Sequence, residues 1–224
     1  MNNQPMMVSL VLVMICGLQG VGMEAKKKNA LKTYQEKRNF KKSKEPEGAA
    51  KKKQGKEPLF VVQKHAASHL HYDLRLEVDG VLVSWAVPKG FSLDPSVKHL
   101  AVQTEDHPYD YAEFEGTIPQ GEYGGGTVMV WDIGTYQNIK EKDGKLVPMD
   151  KCLEHGTVEV ALAGKKLKGG FALIKMHGRG PNQWLLIKMD DEYANRKRAT
   201  LPKSWDKSAL TKRTMKQIAQ EEGE

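Results

Sequence analysis

Cysteine is scarce in this sequence, and its scarcity excludes two kinds of scaffold. The 224 residues include two cysteines, Cys16 and Cys152, so there is no CxxC zinc pattern and no disulfide framework. A reducing compartment is the simpler expectation, and we predict a cytoplasmic protein. The composition also excludes collagen and coiled coils, because neither the glycine repeat nor the heptad composition is present.

Long hydrophobic runs are missing as well. The most apolar stretch, residues 8–14, is shorter than the ~20 apolar residues that a membrane-spanning helix needs. It resembles the apolar part of a signal peptide, but no Lys or Arg precedes it, and the positive charge follows it instead. We therefore expect residues 1–22 to be an over-extended start or a disordered lead, with an uncleaved anchor as the alternative. We expect no membrane partner.

Positive charge is in excess, and one segment carries all of the excess. The formal net charge is +7, from 35 Lys and Arg against 28 Asp and Glu. Residues 24–57 hold 13 basic and 5 acidic residues, a net of +8, whereas residues 58–224 hold 22 and 23. A basic arm of this kind suits nucleic-acid phosphates, because each neutralised phosphate releases counterions. A solvated disordered tail fits the charge equally well, and an acidic membrane surface fits it less well.

Short apolar or alternating runs after residue 58 predict a mainly β fold. The turns between them are rich in Gly, Pro and Asp, which is typical of a barrel or a sandwich. Asp79-Gly80 predicts a hairpin turn, and Gly134 predicts a strand end. The predicted strands are residues 59–64, 71–78, 81–87, 100–104, 127–132, 157–162, 170–176 and 183–189.

These patterns divide the sequence into four parts. An apolar lead covers residues 1–22, and a basic arm with a linker covers 23–57. A compact β-barrel-like domain with few short helices covers 58–193, and a polar, partly helical tail covers 194–224. We expect the basic arm to be flexible and without a core, because it has little apolar periodicity. One helix is predicted within residues 208–220 of the tail.

One predicted strand carries an unusual polar row. With a period of two residues, His71, Asp73, Arg75 and Glu77 share one face, and the opposite face is apolar. His65 lies six residues before His71, across a turn, and can return to the same place. Two imidazoles and one carboxylate form a facial set for a transition metal, with open positions for substrate and water. The alternative is a polar row that faces water.

Residues near this row indicate which reaction a bound metal would support. Arg75 offers a forked donor to a phosphate held by the metal, and His107 and Tyr111 can add donors from another segment. A non-haem iron oxygenase uses the same set of two histidines and one carboxylate. In such enzymes, however, the third ligand usually lies far downstream, and a small-molecule oxygenase has no use for a basic arm.

Sequence blocks in a fixed order resemble those of one enzyme family. Residues 63–77, Gln-Lys-His-Ala-Ala-Ser-His-Leu-His-Tyr-Asp-Leu-Arg-Leu-Glu, are similar to the signature of the 3′-phosphoesterase family, the repair module of bacterial DNA ligase D. The resemblance covers about residues 59–193, and residues 34–48 resemble the family's lead. No polymerase or ligase part follows, so a stand-alone form is expected. Further blocks lie at residues 84–90, 94–98, 105–108, 110–116, 118–124, 131–132 and 184–188.

The resemblance implies a β-barrel-like enzyme that heals DNA 3′ ends. Its metal is implied to be Mn²⁺, with Co²⁺ or another transition metal as a substitute. Such an enzyme removes a 3′-terminal ribonucleoside and then the 3′-phosphate, which leaves a 3′-OH for ligation. The implied metal ligands are His65, His71 and Asp73. The implied contacts of the scissile phosphate are Arg75, His107 and Tyr111, and these six residues form the implied catalytic set.

The same resemblance implies supporting residues, substrates and partners. The supporting residues are Arg38, Glu45, Gln63, Lys89 and Glu105. Asn39 stands where the family has Asp, and His99 where it often has Arg, so we expect either to weaken one activity, first of all the ribonucleoside step. The substrate and partners are likewise implied by the resemblance. The expected substrate is a primer–template or 3′ end with a terminal ribonucleotide or phosphate.

The expected partners are a separate DNA ligase, a polymerase and a Ku-type end binder. The alternative to an enzyme is a non-catalytic DNA-end binding module, which has no need of a metal set.

Overall fold

The computed structural model describes residues 30–48, 57–197 and 201–222. The expected apolar lead and the arm residues 23–29 and 49–56 lie outside the described residues. The helices are α1 (Lys32–Glu36), α2 (Met149–His155) and α3 (Met215–Glu222), with 3₁₀ turns at Tyr109–Glu113 and Lys203–Trp205. The strands are β1 (Leu59–Ala66), β2 (Leu70–Val78), β3 (Val81–Val87), β4 (Lys98–Gln103), β5 (His107–Pro108), β6 (Gly116–Ile118), β7 (Gly126–Asn138), β8 (Glu141–Lys142), β9 (Lys145–Leu146), β10 (Thr157–Gly164), β11 (Lys168–Lys175) and β12 (Gln183–Lys188).

Eight antiparallel strands close into a barrel. Their hydrogen-bonded order is β1-β2-β3-β4-β12-β11-β10-β7, and β7 pairs again with β1. The short strands β5 and β6 pair antiparallel with β3 and β7, and β8 pairs with β9 in a separate hairpin. The predicted mainly β fold with a barrel-like core and few short helices is confirmed. Among the described helices, none has both the length and the apolar character to cross a membrane.

The apolar face of each strand fills the barrel. Trp85, Trp131 and Trp184 are at most 2% exposed and pack in one cluster with Leu74 and Leu76 of β2. Since side chains alternate along a strand, filling the barrel with these residues places the polar row of β2 on the outer wall. The outer wall of the barrel is therefore the surface on which the candidate site is built.

The predicted strands lie within two residues of their predicted ends, with one exception. Asp79 and Gly80 form the predicted hairpin turn, with φ values of 51° and 81°. The predicted strand end at Gly134 is wrong, because β7 continues to Asn138. A Cβ atom at Gly134 would overlap the backbone oxygen of Ala163 in β10, so close approach of two strands explains this glycine.

Residues 30–48 pack on the outer wall of the barrel, and we call them the docked segment. Tyr34 is fully buried in a second apolar cluster, together with Val61 of β1 and Tyr111 of the 3₁₀ turn. The expectation that the basic arm is flexible and forms no core is therefore wrong for these residues. The prediction failed because the lysines give the segment a polar composition. The buried ring of Tyr34 anchors the segment, but a single ring produces no apolar periodicity in the sequence.

Residues 201–222, the larger described part of the tail, also pack on the barrel. Its helix α3 begins at Met215, later than predicted. Ser208 instead forms a turn, in which its hydroxyl accepts hydrogen bonds from the amides of Leu210 and Thr211. The Ala209 amide donates to the Val130 carbonyl at 2.8 Å. The Trp205 ring lies 5.8 Å from that of Trp131, so this tryptophan closes one side of the core instead of standing in a purely polar tail.

Candidate active site

A hairpin brings the three predicted metal ligands together on the outer wall. His65 of β1 is the paired neighbour of His71 in β2, and Asp73 follows on the same face. The Asp73 carboxylate lies 3.6 Å from Nδ1 of His65 and 3.8 Å from Nε2 of His71. The candidate ligand atoms all lie within 4.8 Å of one another, as a shared ion requires. Asp73 is 6% exposed, so the alternative of a row that faces water is wrong.

Backbone carbonyls fix the orientation of both imidazole rings. His65 Nε2 donates to the Gly124 carbonyl at 2.9 Å, and His71 Nδ1 donates to the His69 carbonyl at 2.9 Å. The opposite nitrogen of each ring then faces Asp73 and is placed to ligate an ion. Metal-binding histidines are usually held in this way, and two imidazoles with one carboxylate suit a divalent transition metal. The residues present therefore fit a metal ion.

Arg75 is buried beside the ligand carboxylate and held in one direction. Its guanidinium donates to Gln63 Oε1 at 2.7 Å, to Ser84 Oγ at 2.9 Å and to Asp73 Oδ2 at 3.3 Å. Burial raises the pKa of Asp73, but Arg75 and the two histidines outweigh burial and hold the pKa below its usual value. Asp73 is therefore a carboxylate at neutral pH, which is the form that binds a metal.

His107 is buried and neutral. Its Nδ1 donates to the Glu105 carbonyl at 2.9 Å, and its Nε2 lies 3.1 Å from the guanidinium of Arg38. Because a guanidinium only donates, Nε2 must accept and cannot carry a proton in this arrangement. Burial lowers the pKa of His107 well below its usual value, and the charges of Arg75 and Arg38 lower it further.

The docked segment supplies one wall of the site. Arg38 donates to Glu45 at 2.9 Å and to Glu105 at 3.1 Å, in addition to its contact with His107. Tyr111 donates its hydroxyl to the same oxygen of Glu45 at 3.0 Å. Burial, with the nearby charge of Glu45, raises the pKa of Tyr111 well above its usual value, so its phenol stays protonated. The two implied supporting residues of the basic arm therefore touch the implied phosphate contacts.

One cavity of about 150 Å³ collects most of the predicted site residues. Gln63 and Glu45 lie behind its wall, where they hold Arg75 and Tyr111. Lys89 is the exception, because it is exposed after β3 and does not line this cavity. The predicted residues that line it are Arg38, His65, His71, Asp73, Arg75, Glu105, His107 and Tyr111.

The two positions at which the sequence departs from the family pattern lie outside the cavity lining. Asn39 accepts a hydrogen bond from the Lys41 amide at 3.2 Å, within a turn of the docked segment. His99 of β4 lies 2.6 Å, through Nδ1, from the carbonyl oxygen of Gly90. Neither side chain lines the cavity, so any effect on the reaction has to be indirect.

Sequence reasoning missed two residues of the site. Ser84 is fully buried, stands opposite Arg75 in the β2–β3 register and accepts a hydrogen bond from it. A serine between Leu82 and Ala86 on the outward face of a predicted strand was a usable signal. Tyr123 lines the cavity from the Gly-rich loop before β7, which the sequence indicated only as a turn.

Comparison with known proteins identifies similar sequences. A sequence model of the family described as "DNA Ligase D 3'-phosphoesterase domain" matches residues 63–175. The chain is 48% identical over 189 residues to the multifunctional non-homologous end joining protein LigD of Pseudomonas aeruginosa, which covers 83% of this chain. It is 43% identical over 175 residues to the corresponding DNA repair protein of Mycobacterium tuberculosis, which covers 78% of this chain. In both comparisons the chain spans only 22% of the relative's length.

Proposed function

The chain belongs to the DNA ligase D 3′-phosphoesterase family, and from this premise we propose that it is a metal-dependent phosphoesterase that heals DNA 3′ ends. It removes a 3′-terminal ribonucleoside as a phosphodiesterase and then the 3′-phosphate as a phosphomonoesterase. The observation that supports this most directly is the convergence of three candidate metal ligands and a buried guanidinium in one cavity. DNA 3′ ends are the proposed substrate.

Three residues would hold the metal ion. They are His65 through Nδ1, His71 through Nε2 and Asp73 through its carboxylate. This donor set suits Mn²⁺ better than Mg²⁺, and Co²⁺ can replace it. When bound, the ion supplies Lewis-acid stabilisation of charge on a phosphate oxygen.

Arg75 is positioned to bind the phosphate. A guanidinium has five N–H donors, and the described hydrogen bonds of Arg75 use three of them. Two N–H donors remain, and the side chain lines the cavity in which the phosphate would lie. A fixed donor of this kind stabilises developing charge, because no reorganisation is needed at the moment of reaction.

His107 and Tyr111 contribute as neutral groups in this arrangement. His107 accepts from Arg38 and so directs that guanidinium, while the Tyr111 ring lies 4.9 Å below the guanidinium carbon of Arg75. The positive charge that meets the phosphate therefore comes from Arg75, because Arg38 is already paired with two carboxylates. Glu105 and Glu45 hold Arg38 in place from the other side.

A primer–template whose primer ends in one ribonucleotide tests the proposal. It is incubated with and without Mn²⁺, and the products are separated on a sequencing gel. We expect two successive products, a 3′-phosphate end and then a 3′-OH end. A second primer that already ends in a 3′-phosphate is incubated in parallel. Phosphate release from this primer, without cleavage of the primer that ends in a ribonucleotide, would narrow the enzyme to a monoesterase. No product with any divalent metal, despite DNA binding, would favour the non-catalytic binding module.

Partners and location remain proposals as well. The similar proteins are named for non-homologous end joining, so a DNA ligase, a polymerase and a Ku-type end binder are the proposed partners. The cytoplasm is the proposed location of such a repair enzyme. The third candidate ligand, His65, is the paired neighbour of His71. In non-haem iron oxygenases the third ligand usually lies far downstream, so this pairing gives no support to the oxygenase alternative.

A further inference from the structure

An exposed aromatic ring stands at the mouth of the cavity and has no role in the chemistry described above. Tyr123 lines the cavity and is 46% exposed, whereas Tyr111, on the same lining, is 2% exposed. An exposed aromatic side chain at a nucleic-acid site can stack on a base, and every base offers a π-face. Tyr123 is therefore a candidate contact of the substrate.

The ring is held in place before any substrate binds. Lys37 Nζ donates to the Tyr123 hydroxyl at 3.2 Å and lies 4.7 Å from the ring centroid. The hydroxyl in turn donates to Glu105 Oε2 at 3.4 Å. A ring that is already ordered loses little conformational freedom when a base stacks on it. The arrangement thus resembles a prepared platform more than a mobile surface side chain.

The ring is also tied closely to the metal-binding residues. The carbonyl of Gly124, the next residue in the chain, accepts the hydrogen bond that orients His65. Tyr123 is therefore one residue away from the group that sets the direction of a metal ligand. The Tyr123 ring and the three candidate metal ligands also line the same cavity.

Charge at this end of the cavity favours a neutral nucleoside over a continuing phosphodiester chain. Glu105, which lines the cavity, forms ion pairs with Lys37 and Arg38 at 3.1 Å. Cations that are already paired attract a further phosphate weakly. Carboxylates, in contrast, accept hydrogen bonds from the hydroxyl groups of a ribose. The leaving ribonucleoside carries two such hydroxyl groups and no further phosphate.

We propose that Tyr123 is the stacking platform for the base of the 3′-terminal ribonucleoside. This inference rests on the proposed function and specifies how the same cavity recognises the group that leaves. Stacking reads no base edge, so the enzyme accepts any of the four bases at this position. Hydrolysis of a 3′-phosphate end, which has no leaving nucleoside, does not use the platform.

The test uses Tyr123→Leu, which removes the ring, and Tyr123→Phe, which removes only the hydroxyl. Tyr193→Leu is the matched control, because Tyr193 is 45% exposed and does not line the cavity. Single-turnover rates are measured with Mn²⁺ on three primer–templates. One primer ends in a ribonucleotide, one ends in a ribose without a base, and one ends in a 3′-phosphate.

We expect Tyr123→Leu to slow ribonucleoside removal by about 10- to 100-fold. Tyr193→Leu stays at the wild-type rate on every substrate. Tyr123→Phe loses less activity than Tyr123→Leu, because it keeps the ring and loses only the hydroxyl contacts that hold it. Tyr123→Leu slows phosphate release from the 3′-phosphate end much less than it slows ribonucleoside removal, because that end has no base to stack. The wild-type protein removes a ribose without a base more slowly than a ribonucleoside, by a similar factor. On that primer, Tyr123→Leu and wild type react at the same rate, because there is no base to stack. Equal loss on the 3′-phosphate end, or unchanged removal of the base-bearing ribonucleoside, would overturn the platform while leaving the proposed function intact. A wild-type protein that removes no ribonucleoside would overturn both.

Discussion

At the scale of single residues, the hydrogen bonds of the histidines decide what each one can do. Each of the two candidate ligands donates from one nitrogen to a backbone carbonyl, which leaves the other nitrogen free for a metal. His107 instead accepts from Arg38, so it directs a guanidinium and binds no metal in this arrangement. The hydrogen-bond partners therefore distinguish two candidate metal ligands, His65 and His71, from His107, which orients Arg38.

The role of His71 can be tested by removing its imidazole. We expect His71→Ala to abolish release of ribonucleoside and phosphate while DNA affinity stays largely intact, because the arm and Arg75 remain. His155→Ala, a change of an exposed histidine in α2, is the matched control. Product formation is followed on a gel and DNA binding by fluorescence anisotropy. Loss of binding with turnover preserved would contradict the metal role.

Asp106 predicts a pH-dependent contribution to stability. Burial, with a smaller effect of the Glu105 charge, raises the pKa of Asp106 to about 6. The folded protein therefore holds this proton more tightly than the unfolded chain, and the free energy of unfolding falls as pH rises from about 4 to about 6. At neutral pH the ionised carboxylate costs the fold about 3 kcal/mol.

Asp106→Asn removes this cost. We expect the variant to unfold at higher denaturant concentration than wild type at pH 7, and at a similar concentration at pH 4. Asp190→Asn, which changes an exposed carboxylate, serves as the control. The measurement is urea unfolding at several pH values. A difference between variant and wild type that does not change with pH would show that burial does not shift this carboxyl.

The residue pattern predicted the core of the site better than its surroundings. The period of two in β2 placed His71, Asp73 and Arg75 on one face, and the structure has them there. The docked segment that covers this face could not be predicted from periodicity, because its contacts span long separations in the chain. Arg38 reaches Glu105, 67 residues away, and only the folded barrel brings them together.

At the scale of elements, the docked segment is the part that links structure to activity. Tyr34 donates its hydroxyl to the Pro46 carbonyl at 2.7 Å, and the guanidinium carbon of Arg38 lies 3.9 Å from its ring centroid. One buried side chain therefore anchors the segment and supports the residue that contacts His107. Removing it should loosen the segment and leave the closed barrel folded.

Tyr34→Ala tests this link between docking and activity. Loss of a large buried ring costs about 3 kcal/mol, and here the cost falls on docking of the segment. We expect ribonucleoside removal to slow by about tenfold or more, because Arg38 loses its fixed position. Tyr34→Phe loses only one hydrogen bond and should stay near wild type. Limited proteolysis of the segment and far-UV circular dichroism separate undocking from unfolding, and full activity with an undocked segment would contradict the link.

Strands were predictable wherever a local pattern defined them. Hairpins such as β2–β3 have a turn signal between two apolar runs, and their ends were predicted closely. The short pieces β5 and β6, with two and three residues, carry no period that a sequence can show. The helix α2 was missed because it has seven residues and one buried side chain, Cys152.

At the scale of the whole molecule, barrel closure comes from pairings between distant strands. The β4–β12 and β1–β7 pairs join segments far apart in sequence, and no local pattern indicates which strands meet. Composition predicted the class of fold, whereas the order of strands required the structure. Closure also turns the polar row of β2 outward, so the cavity of the candidate site lies outside the barrel and is covered by the docked segment.

The distribution of charge is also a property of the whole chain. The excess of positive charge lies in the basic arm and not in the barrel. The sequence triplets Lys26–Lys28 and Lys51–Lys53 flank the docked segment and carry six of the arm's 13 basic residues. If the arm binds DNA phosphates, each contact contributes about 0.9 to the slope of log affinity against log salt concentration. Changing residues 51–53 to glutamine should lower that slope by up to about 3 and should leave the docked segment in place.

The matched control changes Lys142, Lys145 and Lys168 to glutamine, because these exposed lysines lie outside the cavity lining and outside the arm. DNA affinity is measured by anisotropy at several salt concentrations for both triple variants and wild type. The two variants have the same net charge, so a general effect of charge would lower both slopes equally. A lower slope for the arm variant alone would identify the arm as a phosphate contact, whereas an unchanged slope would show that the arm contributes charge without touching DNA.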